Sequence, residues 1–263
     1  MELPAELVAR LGSGAAEPVT LGESGAGVWR WTTKSAAPAY LKAAKLAAGH
    51  KLSDEVDRLR WMKNNGLPVP AVEDYGRVGD VEYLLLEEIA GTPASDPGFV
   101  SHLNGLATAL GEALALLHQT AIVRCPFNQR IAGQIEEARG RIAAGNVRED
   151  DFDEIRVGRP PADLLEELIA LIPDSEDLVF THGDFCLPNI ILQPSLQEGF
   201  RIAGFVDCGR AGIADRHQDI ALAVRSISRN FGDEWIEPML KAYGLAQPRP
   251  EKLFFYTLLD EFF

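Results

Sequence analysis

The sequence predicts an α+β fold in two lobes, an antiparallel sheet with one helix followed by a mostly helical region. Residues 19–87 contain short alternating or apolar segments separated by turn residues, which is the pattern of antiparallel strands. Residues 104–119 place leucines at the 3.6-residue period of an amphipathic helix. A polar connector at residues 87–93, marked by glycine and proline, separates the two patterns. We therefore expect lobes at residues 1–89 and 90–263.

The overall charge restricts the classes of partner. The 263 residues are enough for one large domain or for two lobes, each with its own core. There are 25 Lys and Arg against 39 Asp and Glu, a formal charge of −14. This balance argues against nucleic acid and anionic membranes as partners and favours cationic ones. A solvated acidic surface would equally well need no ligand.

The cysteine pattern and the length of the apolar segments indicate the cellular compartment of the protein. Three cysteines without a C-x-x-C pair fit a reducing compartment. The N-terminus lacks the basic start and apolar core of a secretory signal, and no apolar run reaches the ~18 residues of a spanning helix. We expect a cytoplasmic monomer with no membrane or nucleic-acid partner.

The first elements of the N-terminal lobe surround a glycine-rich turn. Residues 4–12 predict a short helix, and residues 19–21 and 28–32 predict two strands. The turn at residues 22–27 contains three glycines, which let backbone N–H groups approach phosphates closely. Ser24 in this turn is a candidate nucleotide-binding residue, although a plain hairpin turn explains the glycines at least as well.

The next strand and helix carry a candidate phosphate-binding pair. Residues 39–42 alternate like a strand that ends in Lys42, and residues 54–64 predict a helix with Ser53 as its N-cap. Glu55 lies in the first turn of that helix. A strand lysine paired with a helix glutamate holds the nucleotide phosphates in kinases. Either residue alone is an ordinary surface charge, and their order in the chain is what marks them.

Turn signals and periodicity predict the remaining elements. Residues 72–75 and 81–87 predict antiparallel strands, and residues 189–192 and 202–206 predict a hairpin in the second lobe. Helices are predicted at residues 104–119, 129–145, 161–172, from 219 onward, 234–243 and 250–259.

The segment with the clearest chemistry runs from Thr181 to Asn189 and reads THGDFCLPN; the residues VDCG follow at 206–209. Asp184, Asn189 and Asp207 have the spacing of the H-x-D-x-x-x-x-N and D-x-G loops that transfer phosphoryl groups. In that chemistry the first Asp receives the substrate hydroxyl, and the Asn and second Asp bind magnesium.

Together with Lys42 and Glu55, these residues occur in the order found in protein kinases. The sequence therefore predicts a protein-kinase-like fold, ATP as phosphoryl donor and Mg²⁺ as cofactor. In this prediction Asp184 is the catalytic residue, Asn189 and Asp207 are metal ligands, and Lys42 holds the nucleotide phosphates.

Longer segments around these residues resemble the aminoglycoside phosphotransferases. They are Thr181–Asp184 with Pro188-Asn189, residues 205–212 (FVDCGRAG), residues 215–221 (DRHQDIA) and the ending LLDEFF at residues 258–263. The chain resembles the 3′-phosphotransferase subgroup more closely still, through Tyr40–Lys42, Asp54-Glu55, residues 67–70 (LPVP) and residues 224–227 (VRSI). The resemblance runs from about residue 18 to the last residue.

The resemblance implies ATP-dependent phosphorylation of the 3′-hydroxyl of kanamycin- or neomycin-type antibiotics, and hence resistance to them. It implies that Tyr40 stacks on adenine and that the backbone of Glu87 and Ile89 hydrogen-bonds the base edge. The implied aminoglycoside-binding residues are Asp150, Asp153, Arg210, Asp260, Glu261 and the carboxylate of Phe263. The neighbouring Glu149, Asp151 and Glu154 could instead take the roles given to Asp150 and Asp153.

Other interpretations stay open at this point. The acidic residues 149–154 suit a cation-binding rim, but also a solvated helix start, where the dipole favours carboxylates. The acceptor could be choline, another amino alcohol, a sugar or a protein. A catalytically silent nucleotide-binding module is a third possibility, which the intact Asp184, Asn189 and Asp207 argue against.

Overall fold

The structure is a computed structural model that describes residues 3–12, 14–19, 26–33, 37–46, 51–196 and 199–263. The chain divides into two compact units. The first unit comprises Met1–Asp96 with Pro188–Gly209, and the second comprises Pro97–Leu187 with Arg210–Phe263. An antiparallel sheet in the first unit and helices in the second confirm the predicted α+β class.

The described strands are β1 (Gly14–Pro18), β2 (Gly27–Thr33), β3 (Ala39–Lys45), β4 (Val72–Val78), β5 (Val81–Glu87), β6 (Thr92–Pro93), β7 (Leu178–Thr181), β8 (Ile190–Pro194), β9 (Phe200–Phe205) and β10 (Gly212–Asp215). The described α-helices are α1 (Ala5–Leu11), α2 (Leu52–Asn64), α3 (Leu103–His118), α4 (Ile131–Ala143), α5 (Pro161–Ala170), α6 (His217–Phe231), α7 (Ile236–Tyr243) and α8 (Pro250–Asp260). None of these helices combines the length and the hydropathy needed to cross a bilayer.

The first unit is built on a five-stranded antiparallel sheet in the order β1-β2-β3-β5-β4. Alternate residues of β3 point to opposite faces of this sheet, because a strand has a period of two. Leu41 and Ala43 enter a buried cluster with Leu7 of α1. Tyr40 and Lys42 therefore share the other face. The sheet alone thus places the predicted adenine and phosphate residues side by side.

A three-stranded sheet, β6-β8-β9, completes the first unit. Its hairpin is tied to the earlier chain by two backbone bonds, from the Phe205 N–H to the Pro68 carbonyl and from the Ala94 N–H to the Ile190 carbonyl, both 2.8 Å. The predicted division at residues 89 and 90 placed this hairpin in the second lobe, and the contacts group it with the first unit instead.

The second unit has a core formed mainly by α4, α5, α6 and α8. Phe152 and Phe262 are both buried in it, so the chain ending is packed rather than loose. Helices α3 and α7 approach closely at Gly111, where a Cβ atom would collide with the Met239 carbonyl oxygen. The short strands β7 and β10 pair Thr181 with Gly212, and the loop that carries Asp184 begins directly after Thr181.

Most predicted elements agree with the observed ones to within a few residues, with two differences. A strand not predicted from the sequence covers Gly14–Pro18, and residues 20 and 21 of the strand predicted at 19–21 lie outside the described residues. Ser53 is not an N-cap, because α2 already begins at Leu52 and its N-cap residue is Lys51. The carboxylate of Glu82 accepts a 2.9 Å hydrogen bond from the Leu52 N–H and so supplies the missing cap from a neighbouring strand.

Candidate active site

Lys42 lies at the centre of a buried ion-pair group in the first unit, which we call the Lys42 site (Lys42, Glu55 and Asp207). Its ammonium nitrogen is 2.8 and 2.9 Å from the two carboxylate oxygens of Glu55. The same nitrogen is 3.0 Å from Oδ1 of Asp207, which lies 165 residues later in the chain. The fold thus brings together three of the residues that the sequence singled out.

The charges of the Lys42 site do not balance, because one ammonium faces two carboxylates. Burial lowers the pKa of Lys42, but the charges of Asp207 and Glu55 outweigh burial and raise it above its ordinary value. Burial raises the pKa of Glu55, and the nearby Asp207 raises it further, against the opposing effect of Lys42. Glu55 and Asp207 therefore share the single ammonium group of Lys42.

Asp207 has the backbone geometry of a constrained functional residue. Its φ of 59° is positive, and among the described residues no other non-glycine has a positive φ. Such a conformation costs on the order of 1–3 kcal/mol and persists only where the surrounding structure enforces it. The Val206 N–H donates a 3.0 Å hydrogen bond to the Asn189 carbonyl, so the hairpin holds Asp207 next to Asn189.

The oxygen donors of Asn189 and Asp207 suit magnesium. Mg²⁺ prefers hard oxygen ligands and is commonly held by one or two protein groups together with phosphate oxygens and water. An amide and a carboxylate match that preference. Among the described residues there is no cluster of three or more His, Cys, Asp or Glu that could hold a metal by itself.

Tyr40 lies on the same face of β3 as Lys42 and is half-buried. Burial raises its pKa, and the charge of Glu88 acts in the same direction. The guanidinium of Arg30, opposite Tyr40 on β2, donates two hydrogen bonds to Glu88, of 2.7 and 3.1 Å. The Tyr40 ring thus lies on the same face of the sheet as Lys42, and this position is compatible with the predicted contact with adenine.

The structure gives less support to the other predicted nucleotide-binding residues, Glu87, Ile89 and Ser24. Glu87 is exposed, and its backbone N–H already donates a 3.0 Å bond to the Ala71 carbonyl. Glu87 and Ile89 line a shallow cavity of about 450 Å³ whose described lining includes neither Tyr40 nor Lys42, so this cavity is distinct from the Lys42 site. Ser24 lies outside the described residues.

In the second unit, the loop that carries Asp184 is held by a buried carboxylate. Asp219 of α6 accepts hydrogen bonds from the backbone N–H groups of His182, at 2.7 Å, and Gly183, at 2.9 Å. Gly183 has a φ of 83°, and a Cβ there would collide with the Arg210 carbonyl. The half-buried Asp184 follows directly, and its N–H is 3.3 Å from Nδ1 of His182.

The role of Asp219 was missed by sequence reasoning. It is fully buried, and its carboxylate also contacts Nε2 of His118 at 3.2 Å; the other ring nitrogen of His118 is 2.8 Å from the Tyr243 hydroxyl. The available signal was an acidic residue in the first turn of a helix, directly before the apolar residues 220–224. A buried carboxylate in such a place must have hydrogen-bond partners.

Most of the predicted substrate residues lie in one group of ion pairs in the second unit, which we call the arginine cluster. It consists of Arg141, Asp153, Arg156, Arg210, Arg225, Arg229, Asp260, Glu261 and Phe263. Four arginines (Arg156, Arg210, Arg225 and Arg229) therefore pair with three side-chain carboxylates, and Arg141 donates a hydrogen bond to the carbonyl oxygen of Phe263. Asp260 and Glu261 are thus paired with arginines and are not uncompensated negative charges.

Asp260 is the most strongly compensated carboxylate of the arginine cluster. Arg210 binds its Oδ1 at 2.7 Å, and Arg225 binds its Oδ2. Burial raises the pKa of Asp260, but the two arginines outweigh burial and hold it below its ordinary value. The centroid of the Phe263 ring lies 4.6 Å from the guanidinium carbon of Arg210.

Glu261 and the residues near position 150 behave differently from Asp260. Glu261 pairs with Arg156 at 2.7 Å, yet burial and the charge of Asp153 raise the pKa of Glu261. Asp150 is exposed in the short 3₁₀ turn Glu149–Asp151. The structure brings Asp153, Arg210, Asp260, Glu261 and Phe263 together, and the substrate roles of all six predicted residues stay predictions.

Comparisons with known proteins agree with phosphoryl-transfer chemistry. The profile of the phosphotransferase enzyme family, APH, matches residues 15–254. The chain is 37% identical to an aminoglycoside 3′-phosphotransferase of Streptomyces fradiae over 254 residues, which are 93% of this chain and 94% of that protein. It is 36% identical to a streptomycin 3″-kinase of Streptomyces griseus over 252 residues, 92% of this chain and 90% of that protein.

Solved structures share the fold. The crystal structure of an aminoglycoside-3′-phosphotransferase of type VIII has a TM-score of 0.85 and 37% identity, covering 98% of both chains. The phosphotransferase APH(3″)-Id of Streptomyces rimosus, in complex with ADP and streptomycin, has a TM-score of 0.81 and 29% identity, covering 97% of this chain and 95% of that one. The chain therefore belongs to the APH family of phosphotransferase enzymes.

Proposed function

We propose that this protein is an ATP-dependent aminoglycoside phosphotransferase that modifies the 3′-hydroxyl of kanamycin- and neomycin-type antibiotics and so confers resistance. The observation that carries the proposal is its likeness, along nearly the whole chain, to enzymes named for this reaction. The contact of Lys42 with Glu55 and Asp207 supports it, because kinases hold nucleotide phosphates in this way.

In the proposed reaction the acceptor hydroxyl oxygen forms a bond to the γ-phosphorus of ATP while the bond to the β,γ-bridging oxygen breaks. ADP leaves, and Asp184 receives the hydroxyl proton late in the transfer. Asp219 contributes indirectly, because it fixes the backbone of His182 and Gly183 and thereby the position of Asp184. Lys42 binds the nucleotide phosphates, and Tyr40 packs against the base.

Asn189 and Asp207 are the residues proposed to hold Mg²⁺. When bound there, the ion would neutralise charge on the nucleotide phosphates. The hard oxygen donors of Asn189 and Asp207, with two carboxylates sharing the one ammonium of Lys42, favour a divalent cation.

A second candidate reaction is phosphorylation of a 3″-hydroxyl, as in streptomycin. The near-equal identity to the streptomycin 3″-kinase of Streptomyces griseus favours it. Both reactions use the same donor side and differ in which acceptor hydroxyl reaches Asp184. Other amino alcohols, sugars or a silent nucleotide-binding role rest on no comparable likeness.

The test is a panel of acceptors with ADP release as the readout. Kanamycin, its 3′-deoxy analogue, streptomycin and choline are compared at equal concentration, and phosphorus NMR locates the phosphate on each product. We expect turnover of kanamycin and none of the 3′-deoxy analogue. Equal turnover of the 3′-deoxy analogue would overturn the regiochemistry, and turnover of streptomycin alone would establish the second candidate.

The catalytic role is tested by Asp184→Ala. We expect transfer to fall by at least about 10²-fold, the usual contribution of a positioned acid–base group, while ATP binding measured by calorimetry is retained. Asp163→Ala, an exposed carboxylate in the first turn of α5, is the matched control and should behave as wild type. Unchanged turnover in Asp184→Ala would refute the assignment.

A further inference from the structure

Asp153 is surrounded by guanidinium groups. Arg156 lies 3.0 Å from its Oδ2, Arg225 lies 3.8 Å from its Oδ1, and Arg229 also binds Oδ1. The Asp153 side chain is only 16% exposed. One buried carboxylate thus has three cationic neighbours.

These three arginines differ in how strongly they are tied elsewhere. Arg156 is 3% exposed and also binds Glu261, and Arg225 is 18% exposed and also binds Asp260. Arg229 is 57% exposed, and within the described part of the chain Asp153 is the carboxylate with which it pairs. Arg229 can therefore leave Asp153 for solvent at little cost, since an exposed arginine is readily hydrated.

Asp153 is connected to Asp184 through a chain of charged contacts within the second unit. Arg225 joins Asp153 to Asp260, and Arg210 binds Asp260 and lies within the electrostatic influence of Asp184. Burial lowers the pKa of Arg210, but the charges of Asp260 and Asp184 outweigh burial and raise it. The carboxylate of Asp153 thus belongs to the same charge network as the residue proposed to receive the acceptor hydroxyl.

We propose that Arg229 is a specificity-determining residue that competes with an acceptor ammonium group for Asp153. The inference rests on the proposed function. An ammonium group that binds Asp153 must first displace the Arg229 guanidinium, whereas an acceptor with a hydroxyl at that place displaces nothing. Arg229 therefore weakens binding of acceptors that carry an ammonium group there, relative to those that do not.

The experiment measures acceptor KM, ATP KM and kcat for Arg229→Ala, with kanamycin as acceptor. We expect the kanamycin KM to fall by about fivefold, comparable to the loss of one partly exposed ion pair, with ATP KM unchanged. The KM should also rise more steeply with salt than in wild type, because the variant exposes an uncompensated carboxylate. Calorimetric titration with kanamycin should show the same tightening without turnover.

Three further variants define the outcome. Arg229→Lys keeps a cation and should stay near wild type, and Arg139→Ala, an exposed arginine paired with Glu136 on α4, should change nothing. The fall in kanamycin KM that Arg229→Ala produces should be absent from the double variant Arg229→Ala/Asp153→Asn. An unchanged or raised kanamycin KM in Arg229→Ala, or a gain that survives in the double variant, would overturn the inference. Absence of turnover by the wild type with every aminoglycoside would instead overturn the proposed function.

Discussion

The Lys42 site and the arginine cluster both pair charged side chains, but two carboxylates share one cation in the first, whereas every side-chain carboxylate of the second pairs with at least one arginine. At the Lys42 site one ammonium faces two carboxylates, and the pKa of Glu55 is raised by burial and by Asp207. In the arginine cluster four arginines pair with three side-chain carboxylates, and Arg210 and Arg225 outweigh burial and lower the pKa of Asp260. Acidic residues in a sequence therefore do not reveal where the folded protein can accept a cation.

The comparison also separates two uses of buried charge. A group in which two carboxylates share one cation is suited to a metal ion and a lysine that binds phosphate. A group whose carboxylates are already paired stabilises the local structure. A cationic ligand can bind one of its carboxylates only by displacing an arginine. Three experiments test this distinction, in decreasing order of expected effect.

Replacement of Lys42 by Met should have the largest effect. We expect the rate of transfer to fall by about 10²–10³-fold, because a charge that stabilises the transferring phosphoryl group is lost. The free energy of unfolding should also fall by about 3 kcal/mol, since Glu55 and Asp207 lose their cation. Enzyme assays and urea unfolding measure the two effects.

The double variant Lys42→Met/Glu55→Gln distinguishes catalysis from folding. It should recover much of the stability but none of the transfer, because the excess negative charge is relieved without restoring the phosphate ligand. Lys45→Met, at the exposed end of the same strand, is the control. Recovery of transfer in the double variant would contradict a catalytic role of the lysine.

Asp260→Asn tests the arginine cluster. It leaves the partly buried Arg210 and Arg225 without their shared negative charge, so we expect the free energy of unfolding in urea to fall by about 2 kcal/mol. The acceptor KM should rise and the ATP KM should not. Glu251→Gln, an exposed carboxylate on the same helix, is the control. Equal changes in the two KM values would show that the cluster supports the whole protein rather than the acceptor side.

The third test uses pH and expects the smallest effect. Because the arginines hold the pKa of Asp260 below its ordinary value, its contribution to stability is present above the unfolded pKa of about 4 and is lost as the pH falls through the folded pKa. The free energy of unfolding of wild type should therefore fall more than that of Asp260→Asn between about pH 5 and pH 2. Parallel pH profiles of the two proteins in urea unfolding would contradict the lowered pKa.

Much of the fold and the Lys42–Glu55 contact could be predicted because their signals are local. Strand alternation and glycine turns identify the first unit, and the fixed spacing of Asp184, Asn189 and Asp207 indicates phosphoryl transfer before any contact is known. The Lys42–Glu55 pair follows from the order of a strand and a helix that are adjacent in sequence. The structure confirms that these two side chains meet.

The remaining features depend on distant partners. Arg156 and Glu261 are 105 residues apart, so no local pattern shows that the acidic ending is compensated. Ser53 has the right identity for an N-cap, but Glu82 on a neighbouring strand caps the helix one residue earlier. Which carboxylates pair with which arginines is decided by tertiary packing, and sequence spacing carries no information about it.

Asp219 holds the loop before Asp184 through main-chain N–H groups, and this has an evolutionary consequence. A backbone amide is the same whichever side chain its residue carries, so the anchor tolerates substitution at position 182 without losing its own two bonds. Position 183 has no such freedom, because a Cβ there would collide with the Arg210 carbonyl. The position of the Asp184 backbone is thus set by one buried carboxylate and one glycine.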